Sequence, residues 1–369
     1  MRDLRTNVDP ILLSLVAILV FGGFLIFASA ALGLFARSGA SFQNVAFNQF
    51  FFGIVGGSLA LFLTTNVHYR HWRKYAFYIF LFTCLVALLV YIPNVGFTYG
   101  GATRWISIGG LTLQPAELLK LGFIIYLATW LSGVYKDIGT FTKGTLPFLG
   151  ILAIPGLILL GQPDTDSFLI IAAAGAAMFL VAGGRWRDVF LMLLLGIILI
   201  SALAFSRPYV MDRLTSFMDP SIDPQGSGYQ ISQSLIAIGS GGITGRGYGQ
   251  SVQKFEYLPE PIGDSIFAVY AEEFGFIGSF ILIGILSIFT FRGFRVATEA
   301  KDLFGMLLVV GIMTFIVFQA FLNIASMVGL APIAGIPLPF ISHGGTALLA
   351  TLAAVGIVLN VSKYRTKRR

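Results

Sequence analysis

The stretch YLPEPIGDSIFAVYAEE, residues 257–273, joins a polar, glycine-rich segment to a long apolar run. It holds four acidic residues, although charged residues make up only 11% of the chain. One of them, Asp264, lies where the loop ends and the apolar segment begins. A charge at such a boundary is costly unless it faces water or a partner, so we interpret the stretch as a site of chemistry.

The composition predicts an integral membrane protein. The 369 residues are 56% hydrophobic, and the mean hydropathy is +0.86. The apolar runs are long and do not alternate, which favours an all-α bundle over a barrel. We therefore predict a single polytopic membrane domain over residues 1–369. Its ten transmembrane helices are expected at about 11–35, 46–65, 75–92, 114–132, 145–161, 167–183, 189–206, 265–291, 303–328 and 345–361.

Charge placement predicts the orientation of these helices. Most of the 24 lysine and arginine residues fall on one side of the predicted bundle, together with both termini. The positive-inside rule assigns that side to the cytoplasm. The large loop between helices 7 and 8, residues 207–264, is then extracytoplasmic. The basic residues are scattered rather than aligned, so no nucleic-acid partner is expected, and no GxxxxGK[ST] motif indicates a nucleotide-driven pump.

Polar residues at the outer end of the fourth predicted span are candidate site residues. Glu117 and Lys120 are three residues apart and share one helix face. Charges at this depth indicate substrate binding, and the alternative is an internal salt bridge that fixes helix packing. Arg104, beside Trp105, fits either a phosphate clamp or an anchor at the lipid headgroups.

The turn QPDTDS, residues 162–167, lies between the fifth and sixth predicted helices. Asp166 or Thr165 would suit the cap of the next helix. Capping does not account for Gln162 and Asp164, which we predict to line a binding site.

Two further outer segments carry candidate binding residues. In the glycine-rich loop, QISQSLIAIGS has helical spacing, and Arg246 and Lys254 are expected to place positive charge next to Asp264. That combination suits an anionic, lipid-linked substrate. In the last outer loop, residues 329–349, Ser342 and His343 offer polar groups, and His343 is either a proton carrier or a hydrogen-bonded structural residue.

Six motifs, in order along the chain, resemble the SEDS family of shape, elongation, division and sporulation proteins, which includes FtsW, RodA and SpoVE. They are GGATRWISIGGLTLQPAELLKL, QPDTDS, DPQGSGYQ, QSLIAIGSGGITGRGYGQSVQK, YLPEPIGDSIFAVYAEEFGFIG and GIPLPFISHGGTALL. The resemblance favours the FtsW branch and implies a GT-C-like membrane glycosyltransferase that polymerises lipid II outside the bacterial cytoplasmic membrane. It also implies that Asp264 is the essential aspartate of the family, and that the partners are a lipid-linked glycan strand, a class B penicillin-binding protein and other divisome or elongasome proteins.

The chemistry implied by this resemblance is an inverting transfer with undecaprenyl pyrophosphate as leaving group. Asp264 is the predicted base, although an acid at this position could instead cap the eighth helix. Arg104, Lys120, Arg246 and Lys254 are candidates for stabilising the leaving group, with or without Mg²⁺ or Mn²⁺ shared with the pyrophosphate. No organic cofactor is expected. The alternative functions are a lipid II flippase and a non-catalytic divisome scaffold.

Overall fold

The computed structural model describes residues 7–37, 43, 45–99, 102–108, 111–206, 208–223 and 226–365, and the ends of the predicted domain lie outside these ranges. A helix overlaps every predicted span. The α-helices are α1 (Pro10–Arg37), α2 (Gly57–Asn66), α3 (Tyr69–Leu88), α4 (Pro115–Val134), α5 (Leu146–Gly161), α6 (Thr165–Val181), α7 (Trp186–Ser206), α8 (Pro208–Met218), α9 (Ser227–Gly241), α10 (Ile266–Thr298), α11 (Leu303–Met327) and α12 (Gly345–Ser362).

Most of these helices are long enough to cross a membrane. Short π-helical segments, Asn48–Gly56 and Phe141–Thr145, extend α2 and α5 at their N-terminal ends. Within the described ranges, eight helical segments have the length and apolar composition of a membrane span, and α6 is apolar but shorter. The structure is therefore that of a helical integral membrane protein, and the number of ten spans stays a prediction.

Three short strands between Gly96 and Leu113 form a small antiparallel sheet, where the sequence indicates only a loop. Strands β1 (Gly96–Tyr99), β2 (Ala102–Ile108) and β3 (Leu111–Leu113) pair in that order. The register shifts between β1 and β2, because Phe97 pairs with Trp105 whereas Thr98 pairs with Thr103. Arg104 is the extra residue of this bulge. A bulge bends a strand and redirects a side chain, which is why bulges are common beside active sites.

The predicted loop between α7 and α10 contains more helix than expected in its described residues 208–223 and 226–264. The expected short helix in QISQSLIAIGS is confirmed as part of α9, but α8 was not predicted. α8 is an amphipathic helix of 11 residues, so it carries too few apolar residues to be recognised as a span. It contributes a site residue, as described below.

Helix α10 is interrupted near its N-terminal end, which corrects the predicted continuous helix. Gly275 has φ +66°, a left-handed conformation that breaks the helical hydrogen-bond pattern. Backbone groups freed at membrane depth need partners within the protein. The glycine-rich loop supplies them: the N–H groups of Arg246 and Gly247 donate to the carbonyls of Glu272 and Glu273, and those of Phe276 and Ile277 donate to the carbonyls of Gly242 and Ile243.

A buried ionic network lies at this interruption. The Lys254 ammonium donates to Glu273 Oε1 at 2.7 Å and to the hydroxyl of Ser29, on α1, at 3.1 Å. Arg246 lies 3.4 Å from Glu272, and Ser251 donates its hydroxyl to the same carboxylate. Charges in a low-dielectric interior are tolerated only when they are paired in this way. The network fixes the loop before Asp264 to both α1 and α10.

The two ends of α10 mark opposite ends of the bundle. Asp264 precedes the first residue of the helix, whereas Arg292 near its last turn binds Asp9, which lies just before α1. Arg365, beyond α12, binds the same Asp9 carboxylate at 2.8 Å. The described parts of both chain termini are therefore held at the end of the bundle that is remote from Asp264.

We predict that Gly275→Ala lowers the free energy of unfolding by about 2–5 kcal/mol. The added Cβ would lie 2.3 Å from the backbone nitrogen of Gly245, and alanine at positive φ is strained. The matched control is Gly284→Ala in the same helix, where a Cβ meets nothing within 4 Å. Thermal unfolding in detergent measures both variants, and equal midpoints would contradict the importance of the interruption.

Candidate active site

The Asp264 carboxylate lies in a polar cluster built from several separate segments. Arg104 reaches it from β2, Arg213 from α8 and Asp166 from the first turn of α6. Burial has the largest effect on the pKa of Asp264 and raises it, and the negative charges of Glu260 and Asp166 raise it further. The positive charges of Arg213 and Arg104 lower the pKa by less, so the result is a pKa of about 7. A carboxyl group with this pKa can both accept and release a proton near neutral pH.

The backbone around Asp264 is fixed by side chains from two other segments. The amide nitrogen of Asn323, on α11, donates to the carbonyls of Asp264 and Ile336, both at 2.8 Å. Ser342 donates its hydroxyl to the Gly263 carbonyl at 2.7 Å. The N-cap residue of α10 is Ser265, so the alternative of Asp264 as a helix cap is wrong. Asp264 instead directs its carboxylate into the polar cluster.

Arg213 is a site residue that the sequence analysis missed. Its guanidinium binds Asp166 Oδ2 at 2.8 Å, and the same carboxylate oxygen accepts the N–H of Gly335 at 3.1 Å. Burial would lower the pKa of Arg213, but the charges of Asp166 and Asp264 prevail and raise it, so the guanidinium stays positive. The available signal was a basic residue in the amphipathic stretch PYVMDRLTSFM, which did not resemble a recognised motif.

Asp164 and Asp166 exchange the roles expected of them. Asp164 is the N-cap of α6 and accepts the N–H of Ser167 at 3.2 Å, whereas Asp166 binds Arg213. Asp164 also lies 3.9 Å from Arg104 and faces the cluster from the side. The role of Asp164 in lining a binding site therefore stays a prediction, and the capping predicted for Asp166 or Thr165 belongs to Asp164.

The Arg104 side chain points into the polar cluster. Its side chain is 14% exposed, and its guanidinium donates to the carbonyl of Pro163. Nearby Gln162 is anchored through its amide nitrogen to the Ala87 carbonyl at 2.7 Å. Buried polar atoms without a hydrogen-bond partner call for an explanation, and a ligand with several oxygen atoms would provide one. Three such atoms lie on this side of the site: Arg104 Nε, Asp164 Oδ2 and Gln162 Oε1.

Glu117 and Lys120 form a buried salt bridge of 2.7 Å beneath the site. Lys120 also binds Gln319 Oε1 at 2.8 Å, and the amide nitrogen of Gln319 donates to the Pro337 carbonyl at 3.0 Å. Lys120 is 1% exposed, so the geometry matches the internal-salt-bridge alternative. Gln319 links the pair to the backbone at Pro337, in the segment beneath Asp264, and both charged side chains are enclosed in the protein interior.

Ser342 and His343 hold the Asp264 loop through polar contacts on its backbone. The N–H of His343 donates to the Ile262 carbonyl at 2.7 Å, while its ring stacks on Phe27 with centroids 5.9 Å apart. Burial lowers the pKa of His343 to about 4, which keeps the ring neutral near pH 7. The geometry thus favours the structural alternative over a proton carrier.

Arg246 and Lys254 do not add charge next to Asp264, which corrects the sequence-based expectation. Both are held by Glu272 and Glu273, eight and nine residues further along the chain. That separation corresponds to about 12 Å along a helix. Two carboxylates buried at the interruption of α10 need cations, and these two residues satisfy them.

Comparison with known proteins places this site in a family. The sequence model of the FtsW, RodA and SpoVE family, described as "Cell cycle protein", matches residues 10–367. The chain belongs to this family. Stage V sporulation protein E of Bacillus subtilis is 39% identical over 365 residues, covering 99% of each chain. "Probable peptidoglycan glycosyltransferase FtsW" of Geobacter metallireducens is 38% identical over 352 residues, covering 95% of this chain and 93% of the relative.

Solved structures of the family share the fold. Thermus thermophilus RodA superposes with a TM-score of 0.70 at 26% identity, covering 98% of each chain. A chain from a peptidoglycan synthase complex, described as coordinating polymerization and crosslinking, gives a TM-score of 0.79 at 27% identity. That match covers 98% of this chain and 99% of the other. The helical architecture described above is therefore that of the FtsW, RodA and SpoVE family.

We predict that the Asp264 carboxyl group is half-protonated near pH 7. Difference infrared spectroscopy against Asp264→Asn would follow its C=O stretch during a pH titration. Glu260→Gln should lower the pKa of Asp264, because it removes a negative charge, and Arg213→Gln should raise it, because it removes a positive one. Titration at an ordinary aspartate pKa, unaffected by either substitution, would contradict this view of the site.

Proposed function

We propose that this chain is a peptidoglycan glycosyltransferase that polymerises lipid II, with Asp264 as the base. The observation that carries the proposal is the grouping of the Asp264 carboxylate with the guanidinium groups of Arg104 and Arg213 at the end of a membrane helix. A relative covering nearly the whole chain bears the name "Probable peptidoglycan glycosyltransferase FtsW". Site and family thus support the same class of reaction.

The proposed reaction is one displacement with inversion at the sugar. The C4 hydroxyl oxygen of one lipid-linked glycan bonds to the anomeric carbon of another, and the bond from that carbon to undecaprenyl pyrophosphate breaks. The hydroxyl proton passes to Asp264. General base catalysis accelerates such steps by about 10²–10⁴-fold and is most effective when the pKa of the base is near the working pH. The raised pKa of Asp264 meets this condition.

Arg104 and Arg213 are the cations best placed to stabilise the departing pyrophosphate. Guanidinium groups bind phosphate oxygens through paired, charge-assisted hydrogen bonds. Lys120 is enclosed in the protein interior, and Glu272 and Glu273 hold Arg246 and Lys254 away from Asp264, so these three cations are less suited to this task. In the described part of the chain, no group of three or more Asp, Glu, His or Cys residues could hold a metal ion. We propose that any Mg²⁺ or Mn²⁺ enters with the pyrophosphate of the substrate.

We also propose that Asp264 faces outward from the bacterial cytoplasmic membrane. Asp264 and the described chain termini lie at opposite ends of α10. Ten spans place both termini on one side, and the distribution of lysine and arginine assigns that side to the cytoplasm. The reaction then takes place where lipid-linked precursors meet the growing wall.

The proposed partner is a class B penicillin-binding protein, together with other divisome or elongasome membrane proteins. The support is the likeness to a chain from a synthase complex that coordinates polymerization and crosslinking. Of the remaining alternatives, a lipid II flippase would need a hydrophilic path between the leaflets, and an inert scaffold would leave Asp264 replaceable.

We expect Asp264→Asn to reduce lipid II polymerisation by at least about 10²-fold, because the amide has similar size but cannot accept the proton. The measurement is gel analysis of glycan strands made from lipid II by the purified chain with its transpeptidase partner. Asp137→Asn is the matched control, since Asp137 is exposed and pairs only weakly with Lys143 at 3.4 Å.

Four outcomes separate the functions and test the assigned base. Polymer from the chain and from Asp137→Asn, but not from Asp264→Asn, supports the enzyme. Transbilayer movement of lipid II without polymer supports the flippase. Normal polymer from Asp264→Asn contradicts the assigned base, and an absence of both activities supports the scaffold.

A further inference from the structure

Gly335 occupies a distinctive place in the polar cluster. A Cβ built on this glycine would lie 3.4 Å from Arg213 Nη2, 3.6 Å from Asp264 Oδ2 and 3.9 Å from Arg104 Nη1. These charged groups come from three separate segments of the chain. Among the glycines in the described ranges, no other has charged side-chain ends from three segments as its nearest neighbours. The space above the Gly335 α-carbon is therefore the point at which the proposed base and both cations meet.

The backbone at Gly335 is fixed from both sides. Its N–H donates to Asp166 Oδ2 at 3.1 Å, and the next two carbonyls accept from Asn323 and Gln319 at 2.8 and 3.0 Å. Ala334 and Ile336 on either side are 2% and 3% exposed, so their side chains pack into the protein. A side chain at position 335 would consequently project into the cluster and could not turn away.

The displacement reaction makes two demands on this space. The attacking hydroxyl must lie within about 2.6–3.2 Å of the base, and the leaving group must lie near the cations. The base and the guanidinium groups lie around the same point over Gly335, so a substrate that meets both demands must pass close to this glycine. A methyl group there would displace atoms of the substrate.

We propose that the reacting sugar crosses the site directly above the α-carbon of Gly335, and that the missing side chain at this position keeps open the space between Asp264 and the two arginines. This inference rests on the proposed function. It makes Gly335 a substrate-contacting residue that determines how closely the reacting groups approach Asp264 and the two arginines. The occupant is the ring and first phosphate of a lipid-linked sugar diphosphate.

The fold itself should tolerate alanine at this position. All three distances from the built Cβ are 3.4 Å or more, which is ordinary van der Waals contact, and Gly335 does not have a positive φ. A loss of activity in Gly335→Ala would thus result from the reduced space above Gly335 and not from a disturbed fold. Valine extends further from the backbone and should have a larger effect.

The experiment compares polymerisation of lipid II by the chain, Gly335→Ala and Gly335→Val, each with the transpeptidase partner. We expect kcat/KM to fall at least about tenfold for alanine and about 100-fold for valine, since small displacements of reacting groups are costly. The thermal midpoint and the recovery of the partner complex should be unchanged for alanine. Gly239→Ala is the control, because a Cβ there meets nothing within 4 Å.

The inference is overturned if Gly335→Ala polymerises within about twofold of the unsubstituted chain, or if it loses thermal stability in parallel with activity. Either result leaves the proposed function standing, provided that the unsubstituted chain makes polymer and Asp264→Asn does not. Failure of the unsubstituted chain to make any polymer would instead contradict the proposed function and, with it, the substrate assigned to this space.

Discussion

The structure depends on the requirement that polar groups at membrane depth find partners within the protein. Helix α10 shows the consequence most clearly. Its interruption at Gly275 frees backbone groups, and the glycine-rich loop binds them. The adjacent Glu272 and Glu273 then require cations, which Arg246 and Lys254 supply. This arrangement fixes the loop that ends at Asp264, so the position of the proposed base follows from the hydrogen bonding of a broken helix.

The polar cluster around Asp264 follows the same requirement. Asn323 joins two segments by donating to the carbonyls of Asp264 and Ile336, and the buried Lys120 continues the chain of contacts through Gln319. The backbone beneath Asp264 is thus held in place by the side-chain amides of Asn323 and Gln319 and by the Glu117–Lys120 salt bridge. Within the polar cluster, the buried Arg104 Nε and Asp164 Oδ2 atoms have no hydrogen-bond partner. Fixed geometry with unused hydrogen-bonding capacity is what a substrate site needs, because reorganisation during the reaction is then small.

Hydropathy predicted a helix at each expected span, because long apolar runs leave a local signal in the sequence. The same local signals left Arg104 open between a phosphate clamp and a headgroup anchor, and the role of Asp264 stays a prediction. The partners of charged residues were harder to predict. Arg246 and Lys254 lie within 18 residues of Asp264 in the sequence, yet they bind acids beyond it. Arg213 was missed because its significance arises only when α8 packs near α6. The small sheet was missed because glycine and aromatic residues in a short loop give no clear period-two pattern.

We propose that Asp264, Arg104 and Arg213 surround the reacting end of a lipid-linked sugar. The most direct measurement is a cryo-electron microscopy map of the Asp264→Asn chain with its transpeptidase partner and lipid II. We expect sugar density above Gly335, within hydrogen-bond distance of residue 264, and diphosphate density on the guanidinium groups of Arg104 and Arg213. Diphosphate bound elsewhere, with the space above Gly335 filled only by solvent, would contradict it.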